Sequence, residues 1–548
     1  MARPLRNAPT LFLLAALVVA AAMILVLTWH YTFLQDTWDF LMNRRSFSAD
    51  AILRPHNEHI VVIPVLFEQI FLRVFGMDSA RPEIFLLTLS LLASAALLFV
   101  YLRRRVDAWL ALFAAVLVLC LGPAWELLLW PFEVSLVGSV LFGLAMLLAL
   151  ERDDRLGDLL ATLFLVASFG FSSLGIPFAV AAFVVVLQSP RERRLGRAFV
   201  FLVPIALYAL WYLGWGHEAE SHLSARNVLA SPRFVAEAMS IGVGNLFGLG
   251  TNPIDGMTEK IWGSALLALL VVGLALYKRR KPGIDPRFWP VAAAAAANWF
   301  LLAFNQMPGR DPVSSRYQYA SCVFLLMLGA NLLSGERLGR RGVIVGAVVT
   351  LLVIGPNVVV LEDGSDFFDR QTVLTRIDTA AIEIARRTVS PDFHLTPEVA
   401  GTPSLVDITA GKYLEAVDEY GSPAYSLAEL AAAAPEARRQ ADLVLADALP
   451  LVARVRLGVY DRGGAENCIE LADGQPREVK IDPGTTRVEV APGSGATISM
   501  RRFATGEYPV SIGEAEGGST TILRVPRDEA PQPWYLHVES QQGARVCR

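Results

Sequence analysis

Runs of about 15–20 apolar residues, separated by short charged breaks, recur through residues 1–361. Such a run can cross the ~30 Å hydrocarbon layer as a helix, because a helix satisfies its own backbone polar groups there. The whole chain is 54% hydrophobic and only 18% charged, whereas a soluble protein carries roughly 25% charged residues. The pattern therefore predicts a polytopic α-helical membrane domain over residues 1–361.

The apolar runs predict about eleven transmembrane helices. The Phe-Gly-Phe-Ser-Ser-Leu-Gly segment at 169–175 leaves open whether 156–188 holds two spans or one broken span. The first run is nearly 20 residues long, too long for the apolar core of a signal peptide, so we expect a retained anchor. The predicted spans are 10–29, 84–102, 107–122, 134–150, 156–170, 174–188, 198–215, 260–277, 288–306, 318–333 and 343–361.

Lys and Arg are unevenly distributed between alternate breaks. One set of short segments, which includes the N-terminus and the breaks near 103, 152, 191, 278 and 337, holds nineteen of them. The alternate loops (31–83, 123–133, 171–173, 216–259 and 307–317) hold nine. Since basic residues favour the cytoplasmic side, we expect a multi-pass protein of the bacterial inner (plasma) membrane with a cytoplasmic N-terminus and an extracytoplasmic C-terminal domain.

The C-terminal part changes character along its length. Residues 362–451 are predicted to form a mixed helical region, in which Ser426 and Glu429 have the spacing of a capping box. From 452 to 548, apolar residues alternate with polar ones and Gly or Pro recurs every 8–12 residues, which predicts a β-sandwich. Trp534, Tyr535 and His537 are predicted on its last strand. These aromatic residues either form a platform that binds a carbohydrate, or Trp534 is an ordinary residue of the hydrophobic core.

Two cysteines, Cys468 and Cys547, fall in the predicted exported domain, where oxidising conditions permit a disulfide. We expect the two to be bonded to each other, with two unrelated free thiols as the alternative.

The first outer loop, residues 31–83, is too long for a bare connector. Residues 34–42 and 60–76 are amphipathic and predict helices that lie along the membrane surface. The loop also collects ionisable side chains that are expected together at the outer interface: Asp36, Asp39, His56, Glu58 and His59.

Architecture and motifs together resemble the GT-C superfamily of membrane glycosyltransferases, which use polyprenyl-phosphate-linked sugars. An anchor span is followed by a long outer loop with an acidic motif at 35–39 and a Glu-His segment at 57–59. A Trp-rich segment at 125–133 and an Arg-Tyr pair at 316–317 are similar to segments in bacterial members. The chain departs from the family in that Asp36 is not followed directly by a second acid. The C-terminal module is weakly similar to that of actinobacterial arabinofuranosyltransferases.

The resemblance implies an integral-membrane glycosyltransferase. It would move a sugar (a hexose or a pentose, with inversion) from a polyprenyl-phosphate donor to a cell-envelope glycan, lipid or protein acceptor on the outer face. Membrane lipids would surround it, and the sequence carries no nucleic-acid motif. Such transfer needs a base for the acceptor hydroxyl and groups that stabilise the departing phosphate.

Asp36 and Asp39 are the candidate catalytic bases. If residues 34–42 are helical, the two carboxylates share one face, and their proximity raises the pKa of one of them. The alternative is that Asp36 satisfies helix N-terminal donors or pairs with Arg44 or Arg45.

The other candidate residues are assigned to substrate binding. Glu58 and His59 would orient the acceptor or hold a divalent cation with the aspartates, since His56 and His59 have a spacing that suits ligands on one helical turn. No cofactor is required by the sequence. Arg316, beside Tyr317, would bind the phosphate or merely anchor the helix, and Arg310 and Arg226 are candidates of the same kind.

Glu126 and Glu133 flank Trp130 in a short outer segment that is predicted to dip into the membrane. Acidic residues at such a depth are costly and tend to be functional. They share one helical face unless Pro131 breaks the helix, and acceptor binding and a water-exposed loop are the two interpretations.

Two other classes of function fit a protein with many spans. A lipid or glycan transporter would place charged or broken helices near the middle of the bilayer, often in matching halves, and we see no internal repeat. A non-enzymatic envelope-assembly protein would bind glycans through its sandwich and would not need the acidic outer loop.

Overall fold

A computed structural model describes residues 7–250, 257–449, 451, 454–457, 468–471, 477–493, 495–505, 510–528, 530–540 and 543–547. The chain divides into two compact units. The first comprises Met1–His30, Arg44–Phe71 and Arg81–Phe368, and the second comprises Tyr31–Asn43, Leu72–Ala80 and Asp369–Arg548. The predicted domain boundaries after 361 and 451 stay predictions, and residue 452 lies outside the described ranges.

A helix stands at each of the eleven predicted spans. Among the described residues, six helices are long and apolar enough to cross a membrane, or seven if a bent pair counts as one span. The helices are α1 Ala8–Thr28, α2 Thr37–Asn43, α3 Ala49–Leu53, α4 Val62–Phe75, α5 Arg81–Arg103, α6 Ala108–Leu119, α7 Trp125–Leu129, α8 Val134–Leu150, α9 Arg155–Phe171, α10 Gly175–Gln188, α11 Arg191–Arg197, α12 Phe199–Gly214, α13 Ala225–Leu246, α14 Met257–Arg280, α15 Phe288–Phe304, α16 Ser315–Leu332, α17 Arg340–Ile384, α18 Ala410–Tyr420, α19 Leu427–Ala432 and α20 Pro435–Ala448.

Large apolar side chains on several helices of the first unit are exposed. Leu213 on α12 and Leu269 on α14 are 74% and 68% exposed. Only 6% of the apolar segment of α14 is buried. Such surfaces are stable against hydrocarbon and not against water. The chain is therefore a multi-pass membrane protein.

The segment 156–188 is two helices, because α9 ends at Phe171 and α10 begins at Gly175. By contrast, α6 continues into the 122–129 segment with a bend of 51°. The predicted loop 216–259 is wrong in part, since it contains α13. Helix α13 has a polar face and therefore contains no continuous apolar run that would predict a span. Its first turn is capped by Ser224, whose side chain accepts a hydrogen bond from the Asn227 backbone.

Helix α17 runs for 45 residues. The sequence predicts a span over 343–361 followed by a mixed helical region from 362, but the structure joins the span and the start of that region in one helix. Gly364 lies within this helix and allows close packing, because a Cβ there would come 2.6 Å from Cβ of Trp125. This glycine therefore permits close contact between the helix and a tryptophan in the same unit.

The second unit ends in a β-sandwich, as predicted. Its strands are β1 Arg454–Leu457, β2 Cys468–Leu471, β3 Arg477–Ile481, β4 Gly484–Val490, β5 Ala496–Arg501, β6 Val510–Ala515, β7 Ser519–Val525, β8 Trp534–Ser540 and β9 Ala544–Cys547. One sheet has the order β1-β7-β4-β9-β2 and the other β3-β8-β5-β6, and all pairs are antiparallel. The inward-facing side chains of both sheets form one hydrophobic core with the helices of this unit.

Trp534, Tyr535 and His537 lie on β8, so their assignment to the last strand is wrong. A further strand, β9, follows β8 and consists of four buried residues that pair with β2 and β4. Trp534 is 2% exposed and belongs to the core, which leaves no face of its ring for a sugar. Tyr535 and His537 alternate with it on the other side of the strand and are half-buried.

Cys468 and Cys547 form a disulfide with Sγ atoms 2.09 Å apart. The two residues stand directly opposite each other on β2 and β9. The predicted capping box of α19 is also confirmed, because the Ser426 side chain accepts from the Glu429 backbone while the Glu429 carboxylate accepts from the Ser426 backbone.

Candidate active site

A tight turn at residues 56–59 presents the polar segment of the first outer loop. The backbones of His56 and His59 exchange two hydrogen bonds of 3.0 and 2.9 Å, and Asn57 has a φ of 50°, which Asn tolerates well. Buried Arg44 holds the approach to the turn, because its guanidinium donates to the carbonyls of Arg54 and Pro55. The metal hypothesis required His56 and His59 to lie on one turn of a helix. They lie instead at the two ends of a tight turn.

The carboxylate of Glu58 is held by one arginine. Arg310 Nη1 donates to Glu58 Oε1 at 2.6 Å, and the two side chains are 14% and 22% exposed. Oε2 of Glu58 is buried and accepts no hydrogen bond from the described residues. This pair brings the loop before α4 against the loop before α16, which are about 250 residues apart in sequence.

Opposing effects set the pKa of Glu58. Burial raises the pKa, but the neighbouring His59 and the positive charge and hydrogen bond of Arg310 lower it by more. The pKa of Glu58 therefore lies below its ordinary value. Burial and the charges of Arg310 and Arg316 also lower the pKa of His59 against the opposing effect of Glu58. Near neutral pH we therefore expect an ionised Glu58 beside a neutral His59, with Arg310 as its counter-charge.

Two consecutive serines support this turn from the α9–α10 connection. Ser173 Oγ donates to the Glu58 carbonyl and accepts from the Ile60 backbone, and Ser172 Oγ lies 3.4 Å from Nδ1 of His59. From the sequence, this segment is predicted only as a break between spans. The sequence feature that could have indicated this role is a pair of serine hydroxyls in a connection on the same predicted membrane face as the acidic loop.

A second carboxylate–arginine pair lies in the same unit. Arg316 Nε is 3.3 Å from Glu126 Oε2, and the Glu126 backbone donates to Ser315 Oγ. Tyr317, next to Arg316 on α16, is half-buried. Arg316 acts electrostatically on His59, so the two pairs belong to one polar cluster of Glu58, His59, Arg310, Arg316 and Glu126.

Aromatic rings cover one side of the turn. His56 meets Phe132 edge to face at 5.1 Å, and Phe132 stacks on buried Trp130 at 5.2 Å. Pro131 breaks the helix here, because α7 ends at Leu129 and a short 3-10 turn follows. Glu126 and Glu133 therefore do not share one helical face, which is the alternative that Pro131 left open, and Glu133 is buried.

A cavity of about 570 Å³ opens beside the loop that carries Arg310. It is bounded by α13, the start of α14 and the connection between α15 and α16. Three of its lining residues, Arg226, Arg233 and Lys260, are basic, and two, Glu237 and Asp311, are acidic. Glu237 pairs with both Arg233 and Lys260, and Arg226 is exposed.

Asp36 and Asp39 belong to the second unit. Helix α2 begins at Thr37, and Gln35 has a φ of 46°. The predicted helix over 34–42 thus starts too early, because Gln35 adopts a left-handed conformation and Asp36 immediately precedes the first helical residue. Asp39 accepts a hydrogen bond from Asn43, and both aspartates are half-buried beside the fully buried Trp38.

Within the described ranges, no group of three or more His, Cys, Asp or Glu side chains is arranged to hold a metal ion. The polar cluster instead combines carboxylates with guanidinium groups. A guanidinium can bind a phosphate through two parallel hydrogen bonds, and a carboxylate oxygen without a donor can accept one from a hydroxyl.

No protein-family model and no curated protein matches this chain. Two solved structures do match. One is ArnT from Cupriavidus metallidurans bound to undecaprenyl phosphate, with 13% identity over 76% of this chain and 89% of that chain and a TM-score of 0.42. The other is the same protein in the apo state, with 15% identity over 76% of this chain and 90% of that chain and a TM-score of 0.37.

Proposed function

We propose that the protein is an integral-membrane glycosyltransferase that moves a sugar from a polyprenyl-phosphate donor to a cell-envelope glycan, lipid or protein acceptor on the outer face. The observation that carries this proposal is the state of Glu58. One carboxylate oxygen is fixed by Arg310, and the other is buried and accepts no hydrogen bond from the described residues. A buried acceptor of this kind is costly unless water or a ligand supplies the hydrogen bond, and a sugar hydroxyl is a donor that can replace the water.

Phosphate recognition is assigned to Arg316. It lies at the start of α16, at the predicted outer end of a span, where the phosphate of a membrane-embedded lipid is found. Glu126 holds its Nε side at 3.3 Å and so orients the guanidinium. The basic residues Arg226 and Lys260 of the neighbouring cavity would attract the same anion.

Binding of polyprenyl phosphate, the product common to all such donors, tests this assignment without knowledge of the sugar. We expect Arg316→Gln to weaken binding by about 10-fold or more, because a charge-assisted hydrogen bond to phosphate is lost. Arg81→Gln is the matched control, since Arg81 is exposed at the same predicted end of the bundle and contacts Trp29. Unchanged binding in Arg316→Gln would contradict the assignment.

The general base is proposed to be Asp36, with Asp39 as the alternative. Asp36→Asn keeps the shape of the side chain but removes its ability to accept a proton, so transfer should fall by roughly 10²–10⁴-fold while donor binding persists. Asp39→Asn should cost less. Near-full activity in Asp36→Asn would refute the assignment and move the search to Asp39 or Glu58.

A role for a divalent cation is tested by chelation. Glu58 is already paired with Arg310, and His59 faces the charges of Arg310 and Arg316, so an added cation would be repelled here. We expect EDTA to leave transfer unchanged. Loss of transfer that Mg²⁺ or Mn²⁺ restores would instead assign a cation to the reaction.

The membrane orientation is proposed from the distribution of Lys and Arg. Reporter fusions should place residue 340 in the cytoplasm and residue 400 outside. A cytoplasmic signal at 400 would overturn the outer-face assignment.

A further inference from the structure

A second cavity, of about 330 Å³, lies at the opposite end of the helical unit, which is predicted to face the cytoplasm. The ends of α5, α8 and α10 and the starts of α11 and α15 converge around it. Its volume is in the lower part of the ~300–1,000 Å³ range of small-molecule sites. None of the residues assigned to sugar transfer lines it.

Two buried arginines form the polar wall of this cavity. Arg105 stacks on Tyr101 at 3.4 Å and donates to Asn331 Oδ1 at 2.9 Å and to Glu151. Arg197 donates to Asp158 at 2.7 Å and to Asp153 at 2.9 Å. These networks fix the wall, so the cavity is a built feature of the fold and not a gap between mobile side chains.

Positive charge exceeds negative charge around the cavity. Glu151 is shared by Arg104 and Arg105, and Asp153 by Arg193 and Arg197. Of the residues that line the cavity, three are arginines (Arg105, Arg197 and Arg287) and two are carboxylates (Glu151 and Asp153), which leaves one positive charge in excess.

Arg287 stands at the mouth of the cavity. Its side chain is exposed and has no ion pair or side-chain hydrogen bond within the described ranges. It immediately precedes α15, whose N-terminus carries partial positive charge. Trp289, two residues on, is 53% exposed, as is usual for a tryptophan at the membrane–water interface.

The other wall of the cavity is apolar and consists of Leu147, Leu150, Val185, Pro290 and Val291. A site with an apolar wall, an excess of positive charge and a location at the ends of membrane spans suits an amphiphile with an anionic head. We propose that this cavity binds the phosphate headgroup of an anionic phospholipid of the inner leaflet, with Arg287 as its principal partner. This inference is independent of the proposed sugar transfer.

The test titrates phosphatidylglycerol into the purified full-length protein in detergent and follows the melting temperature and the bound lipid by native mass spectrometry. Phosphatidylcholine is the neutral lipid, and sn-glycerol 3-phosphate is the soluble phosphate. We expect phosphatidylglycerol alone to bind and stabilise. A soluble phosphate that competes equally well would overturn the lipid assignment in favour of a free phosphate compound.

Arg287→Gln should raise the apparent Kd for phosphatidylglycerol about fivefold, which corresponds to the ~1 kcal/mol that one basic residue near a membrane surface contributes. Arg280→Gln is the matched control, because Arg280 is exposed at the end of α14 and does not line the cavity. An equal loss in both variants would show general surface attraction, and a variant Kd equal to that of the wild type would remove Arg287 from the site. Either result overturns the proposal.

Discussion

Replacement of Glu58 by glutamine probes the polar cluster most specifically. The variant keeps the size of the side chain and removes its charge, so the 2.6 Å charge-assisted hydrogen bond from Arg310 is weakened and the buried Oε2 becomes part of a neutral amide. A hydrogen bond to a charged group contributes about 1.5–3 kcal/mol. If Glu58 also holds the acceptor in the transition state, that range corresponds to a loss of about 10- to 100-fold in kcat/KM.

The assay is transfer of a labelled sugar from a polyprenyl-phosphate donor by the purified protein. Glu218→Gln is the matched control, because Glu218 is an exposed carboxylate on another loop of the same predicted face. The melting temperature of each variant separates loss of binding from loss of fold. Full transfer activity in a folded Glu58→Gln protein would refute the role given to this carboxylate.

Three further predictions concern the fold. Replacement of Cys468 and Cys547 by serine opens a loop with a sequence separation of 79 and should destabilise the second unit by about 4 kcal/mol in the chain-entropy model. The control Cys120→Ser should leave the melting temperature of this unit unchanged. Equal melting temperatures in both variants would argue against a structural disulfide. Asp442→Ala should destabilise the same unit by about 3 kcal/mol, because the carboxylate accepts from the backbones of Arg502, Phe503 and Ala504 at 2.8–3.0 Å; proteolysis at the wild-type rate would contradict this. Because the pKa of His59 is lowered in the folded protein, its neutral state contributes stability above the ordinary pKa of 6.5, and this contribution is lost as the pH falls through the lowered pKa. The drop in melting temperature between pH 7 and pH 5 should therefore shrink in His59→Gln. An unchanged drop would exclude His59 as the titrating group.

The membrane spans could be predicted from the sequence because hydrocarbon imposes a length and a composition on each helix. The same reasoning could not find α13, whose buried and exposed faces carry mixed residues. Alternation likewise predicted the strands around Val488 and Ile498, but it could not find β9. That strand is four residues long, and its position depends on pairing with β2 and β4, which local pattern does not reveal.

The candidate site shows the same limit. Residue chemistry singled out Glu58, His59 and Arg316 from loops that are far apart in sequence. The partner of Glu58 could not be chosen among several outer-loop arginines, because the Arg310 contact joins segments that only the folded helices bring together. Ser172 and Ser173 were missed for the same reason, since a hydroxyl in a short connection acquires its role only from the backbone it meets.

A density map of the protein in a lipid nanodisc with bound polyprenyl phosphate would locate the phosphate of the donor lipid. We expect this phosphate within hydrogen-bond distance of the Arg316 guanidinium. A phosphate bound elsewhere, with Arg316 still paired only with protein groups, would contradict the assignment of this cluster to a lipid-linked sugar donor.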